Sequence, residues 1–240
     1  MIKEALKYIV GMAQPEINVI DGQTYSDKSL YRINHNPKAE PIEMNTLTSL
    51  VDYIKADVDE MQGEMIIHVK SPTEVTMYSE LDGDRVREKV VRVYAQVPEF
   101  RFNRFIDHEE FCINVQAKFI DDITTDRALL LKFAGTVEAG TVSQYGDDGI
   151  TQKATVKTGI ASKDDAIVPS PATLRPFRTF VEVEQPESQF IFRMQQDKYD
   201  GIQCALFEAD GGAWKHKAMD NIKEYLQKEL DGIEGFIVIS

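Results

Sequence analysis

Along the chain the spacing of apolar residues changes period several times, and each change marks a predicted element. Residues 2 to 13 place Ile2, Ala5, Leu6, Ile9, Val10 and Ala13 on one helical stripe, which Gly11 and Pro15 bring to an end. "INVIDGQTY" then predicts a hairpin, because Asp21-Gly22 supplies the positive φ of a tight turn between β-branched residues. "NHNPKAEP" predicts a loop. Asn45 is placed to cap a helix whose inner side carries Leu47, Leu50, Val51 and Ile54.

From Glu64 the period falls to two. Met65, Ile67 and Val69 share a face, as do Val75 and Met77, and a long strand is expected from about Arg85 to Gln96 after the "LDGD" turn. Asp107 predicts the cap of a helix from His108 to about Ile120, with Glu109 and Glu110 where a helix start favours negative charge. A further helix begins near Thr125. "VSQYGDDGITQKATVKTG" predicts a hairpin, and "SKDDAIVPSPATLRP", with three prolines, an irregular connection. In the last third, "RTFVEVEQ", "QFIFRMQ" and "IQCALFEAD" predict three strands, with Phe190, Phe192 and Met194 on one face of the middle one. Residues 214–230 form an amphipathic helix with Met219, Ile222, Leu226 and Leu230 inward, and "GFIVIS" a closing strand.

The expected fold class is α+β, a mainly antiparallel β-sheet with inserted helices and a C-terminal helix and strand. Residues 1–44 make an N-terminal helix and hairpin and 45–240 the α+β domain, with lobes at 45–124 and 125–240 as a possible subdivision. Strand and helix do not alternate as a dinucleotide-binding fold needs, and no glycine-rich phosphate loop is present.

Composition narrows the picture. At 240 residues, 42% hydrophobic and 28% charged, the chain can bury a substantial core and does not read as disordered. Its 40 acidic side chains outnumber 27 basic ones, for a net charge of −13. General DNA binding, which rests on Lys and Arg neutralising phosphates, is therefore unexpected. The acidity reads as a solubility device before it reads as nucleic-acid mimicry. Two cysteines, Cys112 and Cys204, cannot build a disulfide framework and fit a reducing compartment. The apolar run at the start is too short for a secretory core or a membrane span, so a soluble intracellular protein is expected.

Two patterns could carry chemistry. In "HEEFC", His108 and Cys112 stand one helical turn apart, the spacing of a zinc-protease motif, but with cysteine where the second histidine belongs. His108-x-Glu110 matches half of a deaminase signature whose cysteine pair is missing. The preferred reading is packing: Phe111, Cys112, Val115 and Phe119 form a buried stripe with His108 at its edge. Asp121-Asp122, Asp147-Asp148 and Asp164-Asp165 leave a divalent-metal site open without specifying one.

The second pattern is a pair of Arg/Phe segments, "RFNRF" and "RPFRTF". Arginine interleaved with aromatics can pair with phosphates and stack on bases, so Arg101, Arg104, Arg175 and Arg178, with His108 nearby, are the candidate ligand-binding residues. The structural reading puts the phenylalanines in the core and the arginines at sheet edges with their stems packed.

"NTLTSLVDYI", "FRFNRFIDHEEFCINVQAKFID", the threonine-rich middle, "PFRTFVEVEQ", "QFIFRMQ" and the terminal "GFIVIS" together resemble the YfdQ-like family of uncharacterised phage and prophage proteins, over residues 45–240. The resemblance implies a gene of a mobile genetic element serving replication, recombination or evasion of host defence in the host cell cytoplasm. It transfers no catalytic residues. The leading expectation is a non-enzymatic accessory protein, a homo-oligomer that binds a host or phage protein or a small anionic, nucleotide-like ligand. No cofactor, metal or membrane is expected. The alternatives are a metal-dependent hydrolase or nuclease, a β-rich virion component, and a single-strand DNA-binding recombination accessory.

Overall fold

A computed structural model describes residues 2–12, 15–29, 38–61, 63–136, 146–147, 152–158, 162–167, 170–197 and 201–240. The chain divides into two compact units, 1–39 and 40–240. In the first, α1 (Ile2–Met12) is an amphipathic helix with no buried residue. It is followed by the hairpin β1 (Ile17–Ile20) and β2 (Gln23–Ser26), whose Asp21-Gly22 turn has φ of 52° and 79°, as the sequence predicts. Residues 34–37 of the loop expected at 34–41 lie outside the described residues.

In the second unit β3 (Ile42–Met44) leads to α2 (Leu47–Ala56), capped by Thr46 rather than Asn45: the Thr46 hydroxyl accepts from the Ser49 amide at 3.1 Å. The antiparallel meander follows as β4 (Met65–Ser71), β5 (Glu74–Tyr78) and β6 (Lys89–Tyr94). β6 is shorter than expected because Asp82 turns the chain, its carboxylate accepting from the amides of Asp84 and Val86. Next come β7 (Ile106–Asp107), α3 (His108–Lys118) and α4 (Arg127–Thr136). Asp107 caps α3 as predicted, accepting from the amides of Glu109 and Glu110.

β8 (Gly146–Asp147), β9 (Gln152–Thr158) and β10 (Ser162–Ile167) make a three-stranded sheet. β10 replaces part of the expected irregular connection, since antiparallel pairing from Thr158↔Ser162 satisfies its backbone whatever its side chains. β11 (Ala172–Leu174), β12 (Ser188–Asp197) and β13 (Gly201–Glu208) join β7 in the order β11-β12-β13-β7. "RTFVEVEQ" is not a strand. There the Gln185 side chain accepts from the amides of Arg178 and Thr179 and donates to the carbonyls of Phe180 and Val183, so a folded turn replaces a ladder. α5 (Ala213–Glu229) and β14 (Phe236–Ile239) complete the chain.

The fold is α+β, its sheets mostly antiparallel. The five-stranded sheet runs β14-β4-β5-β6-β3, with β14 and β3 parallel to their neighbours. One face buries Ile67, Val69, Val75, Met77, Val91 and Val93 against Leu47, Leu50 and Ile54 of α2 and Ile222 and Leu226 of α5. A second core lies on the four-stranded sheet, where Phe190, Phe192 and Met194 meet Phe111 and Val115 of α3 and Leu130 and Phe133 of α4. Each fully buried phenylalanine there is worth about 2–3 kcal/mol of transfer free energy. The cores interleave along the sequence: α5 and β14 return to the sheet begun by β3. Among the described residues no helix is long and apolar enough to cross a membrane.

Candidate functional site

The HEEFC stretch forms the contact between α3 and α4. His108 Nε2 lies 2.5 Å from the Ala134 carbonyl, which can only accept, so that nitrogen carries the proton and donates it across the helix pair. Cys112 Sγ is 3.9 Å from the same nitrogen. Burial, with Asp107 adding to it, holds the Cys112 thiol above its ordinary value, and burial raises the Cys204 thiol likewise, so both stay protonated. Among the described residues no group of three His, Cys, Asp or Glu side chains could hold a metal ion. As built, the helix-spacing motif is a tether between helices.

The two Arg/Phe segments do meet, but through one residue from each. In the first, Asn103 adopts φ 61° and is pinned to β13: its amide donates to the Leu206 carbonyl at 2.8 Å and its side-chain oxygen accepts from the Glu208 amide. The turn drives Phe102 inward, stacked on Phe190 with ring centroids 5.3 Å apart, and leaves Arg101 and Arg104 exposed. In the second, Arg178 is 8% exposed. Its guanidinium carbon lies 5.6 Å from the Phe102 ring centroid, 5.5 Å from Phe190 and 3.9 Å from Trp214. It donates to Glu208 at 2.8 Å and to the Ser188 hydroxyl. Burial lowers the Arg178 guanidinium to about 10 against the opposing pull of Glu208 and Asp210, so it remains charged at neutral pH.

Arg175 stands apart from this aromatic cage. It donates to Asp122 at 3.0 Å and Glu184 at 2.6 Å, and its Nε lies 3.4 Å from Glu187 without hydrogen-bond geometry. The Asp122 carboxyl is held below its ordinary value chiefly by the Thr124 amide, with Arg175 a smaller cause.

Beside the Arg178 cage opens a cleft of about 320 Å³, at the lower end of ligand-pocket sizes. Its walls include Trp214, Asp210, Glu187, Ser188, Thr173 and Lys217. None of Arg101, Arg104, His108, Arg175 and Arg178 lines it; Arg178 supports its wall by stacking on Trp214. The Asp210-Gly211-Gly212 turn places the indole. Gly211 and Gly212 have φ of 62° and 83°, which a side chain would strain, and Asp210 accepts from the Gly212 amide at 3.0 Å. Two polar atoms of the wall, Trp214 Nε1 and Asp210 Oδ2, are buried without a hydrogen-bond partner, as is Arg178 Nε behind them. Buried orphans of this kind are uncommon in folded proteins.

Sequence reading missed Trp214, Asp210 and Glu208. The one signal available was that the sole tryptophan follows an Asp-Gly-Gly turn at a helix start. Compared with known proteins, the chain matches no family model, no curated protein and no solved structure.

Proposed function

We propose that this chain works by binding a partner protein through the Trp214 cleft and performs no covalent chemistry of its own. The observation that carries the reading is the arrangement of the indole. Trp214 is held at 3.9 Å by a guanidinium that Glu208 and Ser188 fix in turn, while its own N–H has no partner. Such a preorganised aromatic, fixed in place before any partner arrives, suits a polypeptide segment laid against the part of the ring that the cleft leaves open. The acidic lining, Glu187 and Asp210 against Lys217, favours a polypeptide over a phosphate-bearing ligand. A phage setting, with a host defence or replication factor as the partner, rests on the resemblance to YfdQ-like proteins read from the sequence alone.

The test is capture from host-cell lysate on the immobilised chain, followed by titration of the recovered protein against Trp214 emission. The expected result is a stoichiometric partner whose retention falls at least about tenfold with Trp214→Ala and with Lys217→Glu, the latter leaving the indole in place. Retention indifferent to both substitutions would remove the cleft from the reading. Phosphoester turnover that disappears in His108→Ala would overturn the non-enzymatic assignment altogether.

A further inference from the structure

The two sheets that carry the cores end in four edge strands, and three of these are blunted. β3 is three residues long, follows Pro41 and carries exposed Glu43. β7 is two residues long and runs directly into α3. β11 is three residues long, and the outward groups of its central Thr173 are taken: its amide donates to Asp126 Oδ2 at 2.8 Å and its carbonyl accepts from the Asp126 amide at 2.9 Å. These are the devices by which proteins keep sheet edges from pairing. β14, itself only four residues long, has none of the others. "FIVI" contains no charge, no proline and no bulge, and Ile237 and Ile239 are 44% and 42% exposed.

Backbone direction fixes what that edge offers. The Gly235 carbonyl accepts from the Met65 amide at 2.7 Å, so residues 235, 237 and 239 turn their backbone groups to β4, and Phe236 and Val238 turn theirs outward. We infer that β14 is the seam of a two-fold dimer, pairing antiparallel with β14 of a second copy about an axis through Val238. An axis on a residue whose groups point outward lets the two strands exchange both hydrogen bonds there, and of the two such residues, Phe236 and Val238, the axis on Val238 is the one that sets the two exposed isoleucines against each other. That register places Ile237 opposite Ile239 of the second copy, and Ile239 opposite its Ile237. Both are non-hydrogen-bonded positions, where facing side chains come closest.

Faces match as well. Val238 packs toward the core in each copy, the isoleucines fall together on the opposite face, and the two five-stranded sheets become one of ten. Ile237 and Ile239 stand symmetrically about Val238, so a second copy sets isoleucine against isoleucine on both sides of the axis, a match that an arbitrary peptide would not supply. Glu234 and Asp231 precede the strand and fall outside the paired segment, so the net charge of −13 is not concentrated on the seam.

The experiment combines sedimentation across concentration with residue-resolved hydrogen exchange on the full chain. The expected result is a dimer in which the Phe236 and Val238 amides exchange at least about tenfold more slowly than in dilute monomer, while Ile237 and Ile239 are protected in both. Ile237→Lys combined with Ile239→Lys, at exposed positions, should weaken dimerisation at least about tenfold with circular dichroism unchanged. A monomer at every concentration overturns the inference, as does a dimer whose Val238 amide still exchanges freely. Protection of Val238 that appears only when another protein or peptide is added overturns it too, by assigning the edge to a different occupant.

Discussion

The segments 101–105 and 175–180 look alike on paper and fold to opposite ends. In the first, the phenylalanine goes in and both arginines stay out, because the left-handed turn at Asn103 is bolted to β13 through Leu206 and Glu208. In the second, an arginine goes in: Arg178 enters an aromatic cage with Glu208 for a counterion, while Arg175, its side chain 18% exposed, is held by three carboxylates. Whether an arginine is available to a ligand thus depends on whether its own fold has already neutralised it. Composition cannot reveal that.

The contrast can be broken at graded cost. Arg178→Ala should have the largest effect, about 3 kcal/mol of lost stability in urea unfolding, since it leaves Glu208 without its partner and empties the space between three rings. Phe102→Ala should cost about 2–3 kcal/mol, below the roughly 3–5 kcal/mol of truncating a fully buried phenylalanine, and a double-mutant cycle with Arg178→Ala should show coupling of about 1 kcal/mol. Arg175→Ala should cost about 1 kcal/mol or less, because Glu184 and Glu187 are largely solvated. In that variant the Asp122 carboxyl should remain below its ordinary value when followed by NMR, since the Thr124 amide is the larger cause. The sign follows: a carboxyl held low adds stability above its unfolded value of 3.8 and loses that contribution as pH falls through the folded one. The smallest effect belongs to Arg101→Ala with Arg104→Ala, within about 0.5 kcal/mol of the native chain.

What the sequence made legible followed from local rules. Asp107 could be read as a cap because its side chain and the two glutamates after it agree, and the face Phe190-Phe192-Met194 because alternation survives burial on one side only. Thr46 displaced Asn45 by a single position, a choice between two good capping residues that spacing cannot make. Residues 178–185 alternate like a strand. They are not one because the Gln185 amide serves four backbone groups that a ladder would otherwise pair. The cleft was illegible for a different reason: it needs residues 173, 187, 210 and 214 brought side by side, with Arg178 behind them, and nothing in their spacing announces it.

The parallel pairing of Phe236–Ile239 with Met65–Ser71 also sets an order of events on the ribosome. The hairpin of β4 and β5 can form as soon as it emerges, but the outer flank of β4 stays bare until α5 and the segment after it have been synthesised. Contacts so distant along a chain close slowly. The nascent protein therefore carries an apolar strand with one unpaired edge through most of its translation, which makes that flank the place where a holding chaperone would engage or an aggregate would start.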